Sequence, residues 1–194
     1  ALLSTVVGDE IVGVVACDTP DGRSAGLELA ERMPLVPPVG ASFLAWADEP
    51  AIAAWLGRAG PDHDAQTVAY WRAGLGRIRD RGFQVELQAP GGRQMAERMA
   101  AMAAGSEATR YKGELLKMVR SLGRHPRQPD SIEPGCAYDV ILIAAPVFDR
   151  EGACAYNLCQ GGFAAPLDGA EVMALGERLV AISLQVMQAD RTGV

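Results

Sequence analysis

Apolar residues run almost unbroken from Val140 to Phe148, and this pattern predicts a buried β-strand. Asp149–Gly152 supplies turn residues, and a second strand is predicted over Ala153–Gln160, before two glycines end it. The two strands are close enough in sequence to form a hairpin. We predict that this hairpin lies in the middle of a sheet.

The return strand of the hairpin carries polar side chains where a buried strand normally carries hydrocarbon. Asn157 and Cys159 are two residues apart, so they point to the same face of the sheet, as does Gly161. The same alternation predicts that Cys154 points to the opposite face, so the two cysteines do not pair. A partly polar face within a core hairpin is typical of a small-molecule pocket.

Elsewhere the apolar spacing predicts a mixture of strands and helices. Strands are expected at Ile11–Cys17 and Phe83–Leu87, the latter with one wet face. Helices are expected to open at Ser42 and to cover Glu49–Leu56, Thr67–Arg81, Arg93–Ala104 and Glu107–Leu122. Because strands and helices do not alternate regularly, we predict a single α+β domain over residues 1–194, with an antiparallel sheet flanked by helices.

A last helix is predicted to begin at Asp168, which forms a capping-box pattern with Glu171. Its apolar residues at three–four spacing form a stripe expected to pack on the sheet: Val172, Leu175, Leu179, Ile182 and Val186. The helix also exposes a second apolar line, outside this stripe: Met173, Val180 and Met187. Neighbouring elements cover this line, or it forms a subunit contact.

The formal net charge of −6 argues against a phosphate-binding surface over the whole domain. Residues 93–127 are the exception, with eight basic against three acidic residues. We interpret residues 89–127 as an inserted, basic helical pair. One interpretation is a solvated pair whose Arg and Lys side chains cover its own apolar stripe against the core: Met95, Met99, Met102, Leu115, Met118 and Val119. The other is a methionine-lined lid or oligomer contact.

The remaining composition limits the chemistry. No segment is apolar over the ~20 residues that a membrane helix needs, and no signal segment is visible, so we expect a cytoplasmic protein with no membrane contact. The four cysteines are interpreted as reduced, buried thiols, and the two histidines, His63 and His125, as exposed. No metal-ligand spacing and no dinucleotide fingerprint is present, so we predict neither a metal nor a cofactor.

Two blocks of sequence together resemble a known family. The first is RMPLVPPVGASFLAW, followed by a helix and then LGRIRDRGF, and the second is ILIAAPVFDREGACAYNLCQGG. Both are similar, in order and spacing, to the C-terminal effector-binding domain of IclR-type transcriptional regulators, over most of residues 10–188. The resemblance implies a GAF-like fold, a small-molecule effector that is often a carboxylate or aromatic acid, and a homodimer or tetramer.

The resemblance also implies a three-walled ligand site. Carried over by position, its walls are Pro38 and Val39, then Val140 and Leu142, then Cys159 and Gly161; Asn157 is added from the strand pattern above. An acidic residue and hydroxyls common in the family's pocket are replaced here by Ile132 or Glu133, by Cys159 and by Gly161. The site is therefore expected to take a weakly polar or aromatic small acid.

The sequence departs from the family in two further ways. No segment before Ile11 is long enough for the family's helix-turn-helix, so DNA is expected to be a partner only through such a domain outside this chain. The helical pair at 89–127 is also extra.

Two alternatives remain open. One is a thiol-dependent enzyme, a reductase on the same scaffold that uses Cys136 or Cys159; the preferred hypothesis has no catalytic residue. The other is a structural oligomerisation domain with a filled hairpin face. The tryptophans are interpreted as core residues or as a stacking surface for an aromatic ligand.

Overall fold

The computed structural model describes residues 1–17, 32–61, 63–88, 108–122 and 127–192. The strands in these residues are β1 Leu2–Val7, β2 Glu10–Ala16, β3 Arg32–Pro34, β4 Gln84–Leu87, β5 Ala137–Tyr138, β6 Val140–Phe148, β7 Cys154–Gly161 and β8 Leu167–Asp168. The helices are α1 Ala41–Leu44, α2 Glu49–Gly57, α3 Ala65–Arg81, α4 Ala108–Leu122 and α5 Gly169–Thr192.

Six of the strands form one antiparallel sheet in the order β3-β2-β1-β7-β6-β4, and β5 pairs with β8. The hairpin β6–β7 therefore lies inside the sheet, as predicted. The α+β class with a helix-flanked antiparallel sheet is confirmed, and the arrangement is consistent with a GAF-like fold. Of the predicted insertion, α4 matches the second helix, whereas the first, Arg93–Ala104, lies outside the described residues.

The two faces of the sheet are buried by different helices. On the front face, which we define by Leu142, Ala144, Asn157, Cys159 and Gly161, α1 packs over β6 and β7. A core of aromatic and aliphatic side chains joins α1, α2 and α3 beside this face, and its large members include Phe43, Trp55, Trp71, Leu75 and Ile78.

On the back face, α5 packs against β6. Val85, Ile143 and Ala145 meet Val172 and Leu179 of the helix there. Hydrophobic burial on both sides explains why β6 is apolar almost throughout.

The helix ends follow local rules. Asp64 accepts a hydrogen bond from Thr67 N at 2.7 Å, and Gly82 ends α3 in the left-handed region at φ 85°. At α5, Asp168 N donates to Glu171 Oε2 at 2.9 Å and Ala170 N donates to Asp168 Oδ1 at 2.8 Å, which is the predicted capping box.

The predicted inward stripe of α5 is only half right. Val172 and Leu179 are buried, but Ile182 and Val186 are exposed. Ser183 is buried in their place. The line predicted to be exposed is half-buried: Met173 and Val180 pack on the back-face core, and Met187 Sδ accepts a hydrogen bond from Phe148 N. The stripe rotates because small residues face the sheet.

We predict that Gly176→Ala destabilises the protein by about 1–3 kcal/mol, because a Cβ there would collide with the buried ring of Phe83. The matched control is Gly113→Ala in α4, where a Cβ meets nothing within 4 Å and alanine's helix propensity adds up to about 1 kcal/mol. Urea unfolding of both variants measures the difference. Equal stabilities of the two variants would contradict the close contact between α5 and the sheet.

Candidate functional site

The front face of the hairpin gathers most of the predicted site. Asn157, Cys159 and Gly161 are buried, and they pair with Pro146, Ala144 and Leu142 on the neighbouring strand. Because paired residues share a face of an antiparallel sheet, this register confirms the common direction of Asn157, Cys159 and Gly161.

Asn157 is held by the protein's own hydrogen bonds. Its Nδ2 donates to Ser42 Oγ at 2.8 Å, and Ser42 N donates to Gln84 Oε1 at 3.0 Å. All three residues are buried, with at most 4% of their surface exposed. The chain of bonds ties the start of α1 to strands β7 and β4, and it satisfies polar groups that would otherwise cost stability.

Cys159 carries a neutral thiol. Its Sγ lies 3.9 Å from Ser4 Oγ and donates to Asn157 O at 3.8 Å. Burial raises the pKa of Cys159 to about 12, against a smaller lowering by the hydrogen bond with Ser4. A thiol with this pKa is protonated at neutral pH, so it is a poor nucleophile.

Cys154 lies on the helix-covered side as well, which the alternation rule did not predict. The register of β6 and β7 shifts between Val147 and Phe148, so Cys154 packs against the core of α1, α2 and α3. Its Sγ is 3.9 Å from Asn157 Oδ1, and burial raises its pKa to about 12. Cys17 and Cys136 are exposed, so the interpretation of all four cysteines as buried is wrong.

The Pro-rich segment forms a second wall. Pro38 is buried, and it lies with Ala41, Trp55 and Trp71 around a small cavity. Val39 is half-buried between the aromatic core and α4, and its carbonyl accepts a hydrogen bond from Trp55 Nε1 at 3.0 Å.

The wall expected from Val140 and Leu142 is only partly assembled. Leu142 packs with Leu2, Ala144 and Cys159 on the front face. Val140 does not join them: the register shift between Glu86 and Leu87 places it with the back-face core. Ile132 also packs at the back, and Glu133 is exposed.

A buried ion pair was missed by sequence reasoning. Arg127 Nη2 lies 2.7 Å from Glu86 Oε1, with side-chain exposures of 6% and 10%. Glu86 lies opposite Leu142 in the register of β4 and β6, so the ion pair borders the front face. The face of β4 that was predicted to be wet, Gln84 and Glu86, is therefore buried. No local pattern marks Arg127, which follows a proline in a loop.

The cavity beside Pro38 is small. Its volume of about 10 Å³ suits one oxygen-sized atom, and Tyr70, Gly74, Arg127 and Gln128 complete its lining. Trp55 and Trp71 in its wall are buried core residues, as predicted. His63, predicted to be exposed, is half-buried with its ring 4.8 Å from that of Trp71; His125 lies outside the described residues.

The polar groups of the front face are neutral and hydrogen-bonded. Among the described residues no three His, Cys, Asp or Glu side chains are grouped to hold a metal ion. The front-face thiols are neutral, and their hydrogen-bond partners are the Ser4 hydroxyl, the Asn157 amide and backbone carbonyls, with the Glu86 carboxylate also near Cys159. None of the described helices has the length and apolar character needed to cross a bilayer.

We predict that iodoacetamide at pH 7 alkylates Cys17 and Cys136 in the native protein but not Cys159. The first two thiols are exposed, whereas the third is buried with its pKa raised to about 12, so its thiolate fraction is only on the order of 10⁻⁵. Peptide mass spectrometry identifies the labelled sites. Labelling of Cys159 should rise only when urea unfolds the chain; fast native labelling at pH 7 would contradict this account.

Comparisons with known proteins support the fold. No family model and no curated protein matches the sequence. Among solved structures, the repressor BlcR of Agobacterium tumefaciens superposes with a TM-score of 0.52 at 13% identity, covering 96% of this chain and 57% of BlcR. The chain thus spans little more than half the length of that protein.

Two further structures give the same result. A domain of a putative IclR-family transcriptional regulator matches with a TM-score of 0.54 at 16% identity, covering 96% of this chain and 83% of that one. An IclR transcriptional regulator from Alicyclobacillus acidocaldarius matches with a TM-score of 0.52 at 14% identity, covering 97% and 59%. The resemblance predicted from two sequence blocks is therefore confirmed at the level of the fold: this chain folds like part of the IclR-type regulators.

Proposed function

We propose that this chain is the effector-sensing and oligomerisation domain of an IclR-type transcriptional regulator. The observation that carries the proposal is the fold it shares with such regulators over nearly its whole length, together with a buried, partly polar front face. The proposed ligand-binding residues are those expected from the sequence: Pro38, Val39, Val140, Leu142, Asn157, Cys159 and Gly161. Val140 is the exception among them: it packs in the back-face core, so the proposal gives it no contact with the ligand.

The proposed mechanism is a shift between two arrangements of the subunits. An effector changes such an equilibrium only to the extent that it binds one arrangement more tightly than the other. A helix-turn-helix domain outside this chain would read DNA. The domain described here would change the arrangement of those DNA-binding domains, and the regulator would work in the cytoplasm. No cofactor is required.

A weakly polar or aromatic small acid suits the site best. The front face offers a neutral thiol at Cys159, a hydrogen-bonded amide at Asn157 and small residues at Ala144 and Gly161. Such a surface contacts an apolar skeleton well but solvates a highly charged ligand poorly. The fold therefore suits recognition of one polar group on an otherwise apolar molecule.

The thiol-dependent enzyme is less favoured. Cys159 and Cys154 both have a pKa raised to about 12 by burial. Cys136 is exposed, and its hydrogen bonds with Glu133 and Gly169 are backbone bonds. The neighbouring Asp168 carboxylate accepts from Gly135 N and from Ala170 N, so the hydrogen bonds described for Cys136 involve no side-chain base.

We predict that a thermal-shift screen of small aromatic and aliphatic acids finds compounds that raise the melting temperature, because a ligand bound only to the native state stabilises it. Cys159→Leu should abolish that shift by filling the front face. The matched control, Cys136→Leu at an exposed position, should keep it. Equal shifts in both variants would move the site away from Cys159.

We also expect a homodimer or tetramer. Apolar side chains on the outer surface of α5 fit self-association, since Ile182, Leu184 and Val186 are each at least 40% exposed. Light scattering coupled to size-exclusion chromatography at micromolar concentration measures the mass. A mass of about 20.5 kDa, that of one chain, would rule the expectation out.

A further inference from the structure

Arg127 has donor capacity that its ion pair does not use. Nη2 binds Glu86 at 2.7 Å, but Nε is buried and has no hydrogen-bond partner among the described residues. A guanidinium can only donate hydrogen bonds, and it stays charged at every relevant pH. An acceptor beside Nε would therefore complete its bonding.

A second unused donor lines the same cavity. Trp71 is buried, and its indole Nε1 also has no partner among the described residues. The other two polar aromatic groups of the wall are occupied: Trp55 Nε1 donates to Val39 O, and the Tyr70 hydroxyl donates to Gln128 O at 2.7 Å and accepts from Gln128 N at 3.1 Å. Two buried donors of this wall, Arg127 Nε and Trp71 Nε1, thus have no partner among the described residues, beside a Gln128 side-chain amide that can both donate and accept.

The two donors define the chemistry of a group that fits in the cavity their residues line. Neither an indole N–H nor a guanidinium N–H accepts a hydrogen bond, so the group must be an acceptor. The cavity volume of about 10 Å³ admits a single oxygen-sized atom. Charge-assisted bonds to Arg127 favour a carboxylate oxygen over a neutral carbonyl.

We propose that Arg127 and Trp71 recognise the carboxylate of the effector, with one carboxylate oxygen entering the cavity beside Pro38. This inference rests on the proposed function, and it specifies which end of the ligand is bound where. Glu86 lies opposite Leu142 on the neighbouring strand, so the Arg127 guanidinium bound to Glu86 adjoins the front face. The apolar remainder of the acid lies along that face.

Glu86 limits the affinity for acids in this arrangement. It already neutralises Arg127, so the acid brings a second negative charge to a buried cation. The pair therefore selects for a monoacid and against a diacid, because a second carboxylate would add a further negative charge beside Glu86. Removing the charge of Glu86 while keeping its hydrogen bond should strengthen acid binding.

The test compares isosteric acids and amides by calorimetry: benzoate with benzamide, and phenylacetate with phenylacetamide. In the wild type we expect the acid of at least one pair to bind about tenfold more tightly than its amide. Glu86→Gln should raise that ratio. The double variant Glu86→Gln/Arg127→Met, which leaves no unpaired buried charge, should bring the ratio close to one.

Trp71→Phe removes the N–H and keeps an aromatic ring, and it should lower acid affinity without changing amide affinity. Trp46→Phe is the matched control, since Trp46 packs edge-on against Phe148 outside the cavity. An acid preference that survives in the double variant, or equal binding of acids and amides in the wild type, would overturn this inference while leaving ligand sensing intact. If neither member of any pair binds, the proposed function fails and the inference with it.

Discussion

The position of α1 over the hairpin is the constraint on which the front face depends. Helix α1 has only four residues, Ala41–Leu44, far too few to be stable alone. It is held by the hydrogen bonds from Asn157 to Ser42 and from Ser42 to Gln84, and by the burial of Phe43 and Leu44 in the aromatic core. Local propensity contributes little here; long-range contacts set the geometry of the site.

Buried polar groups of this kind stabilise a fold only when they are paired. An unpaired side chain at any of these positions would cost about 1–3 kcal/mol, whereas the complete set contributes modestly. The Glu86–Arg127 pair follows the same logic with full charges: its net contribution is small, but losing one partner is expensive. Such groups specify which arrangement forms more than they raise its stability.

Local signals in the sequence predicted much of the fold. The apolar run of β6, the turn before β7 and the capping box of α5 each arise within a few residues, and each is confirmed. Strand β1 was missed, although Leu2–Val7 is followed by a turn at Gly8 with φ 65°. A Gly-Asp turn between two short apolar runs is a hairpin signal that acts over only a few residues.

The errors have non-local causes. Register shifts moved Val140 to the back face and Cys154 to the front, and no periodicity rule anticipates a shift. Gly176 and Ser183 turned the inward face of α5 because close packing on Phe83 favours small residues over large apolar ones. Arg127 became part of the candidate site only through tertiary contacts with Glu86 and the cavity wall.

The edges of the main sheet affect how copies of this chain can meet. One edge, β3, has three residues and ends in Pro34, which has no N–H to offer an incoming strand. At the other, the N–H of Leu87 in β4 is already bound to the carbonyl of Arg127. Short or covered edges are how proteins avoid uncontrolled strand addition. Growth of the sheet from molecule to molecule, which is the route to amyloid-like aggregates, is therefore disfavoured at both ends.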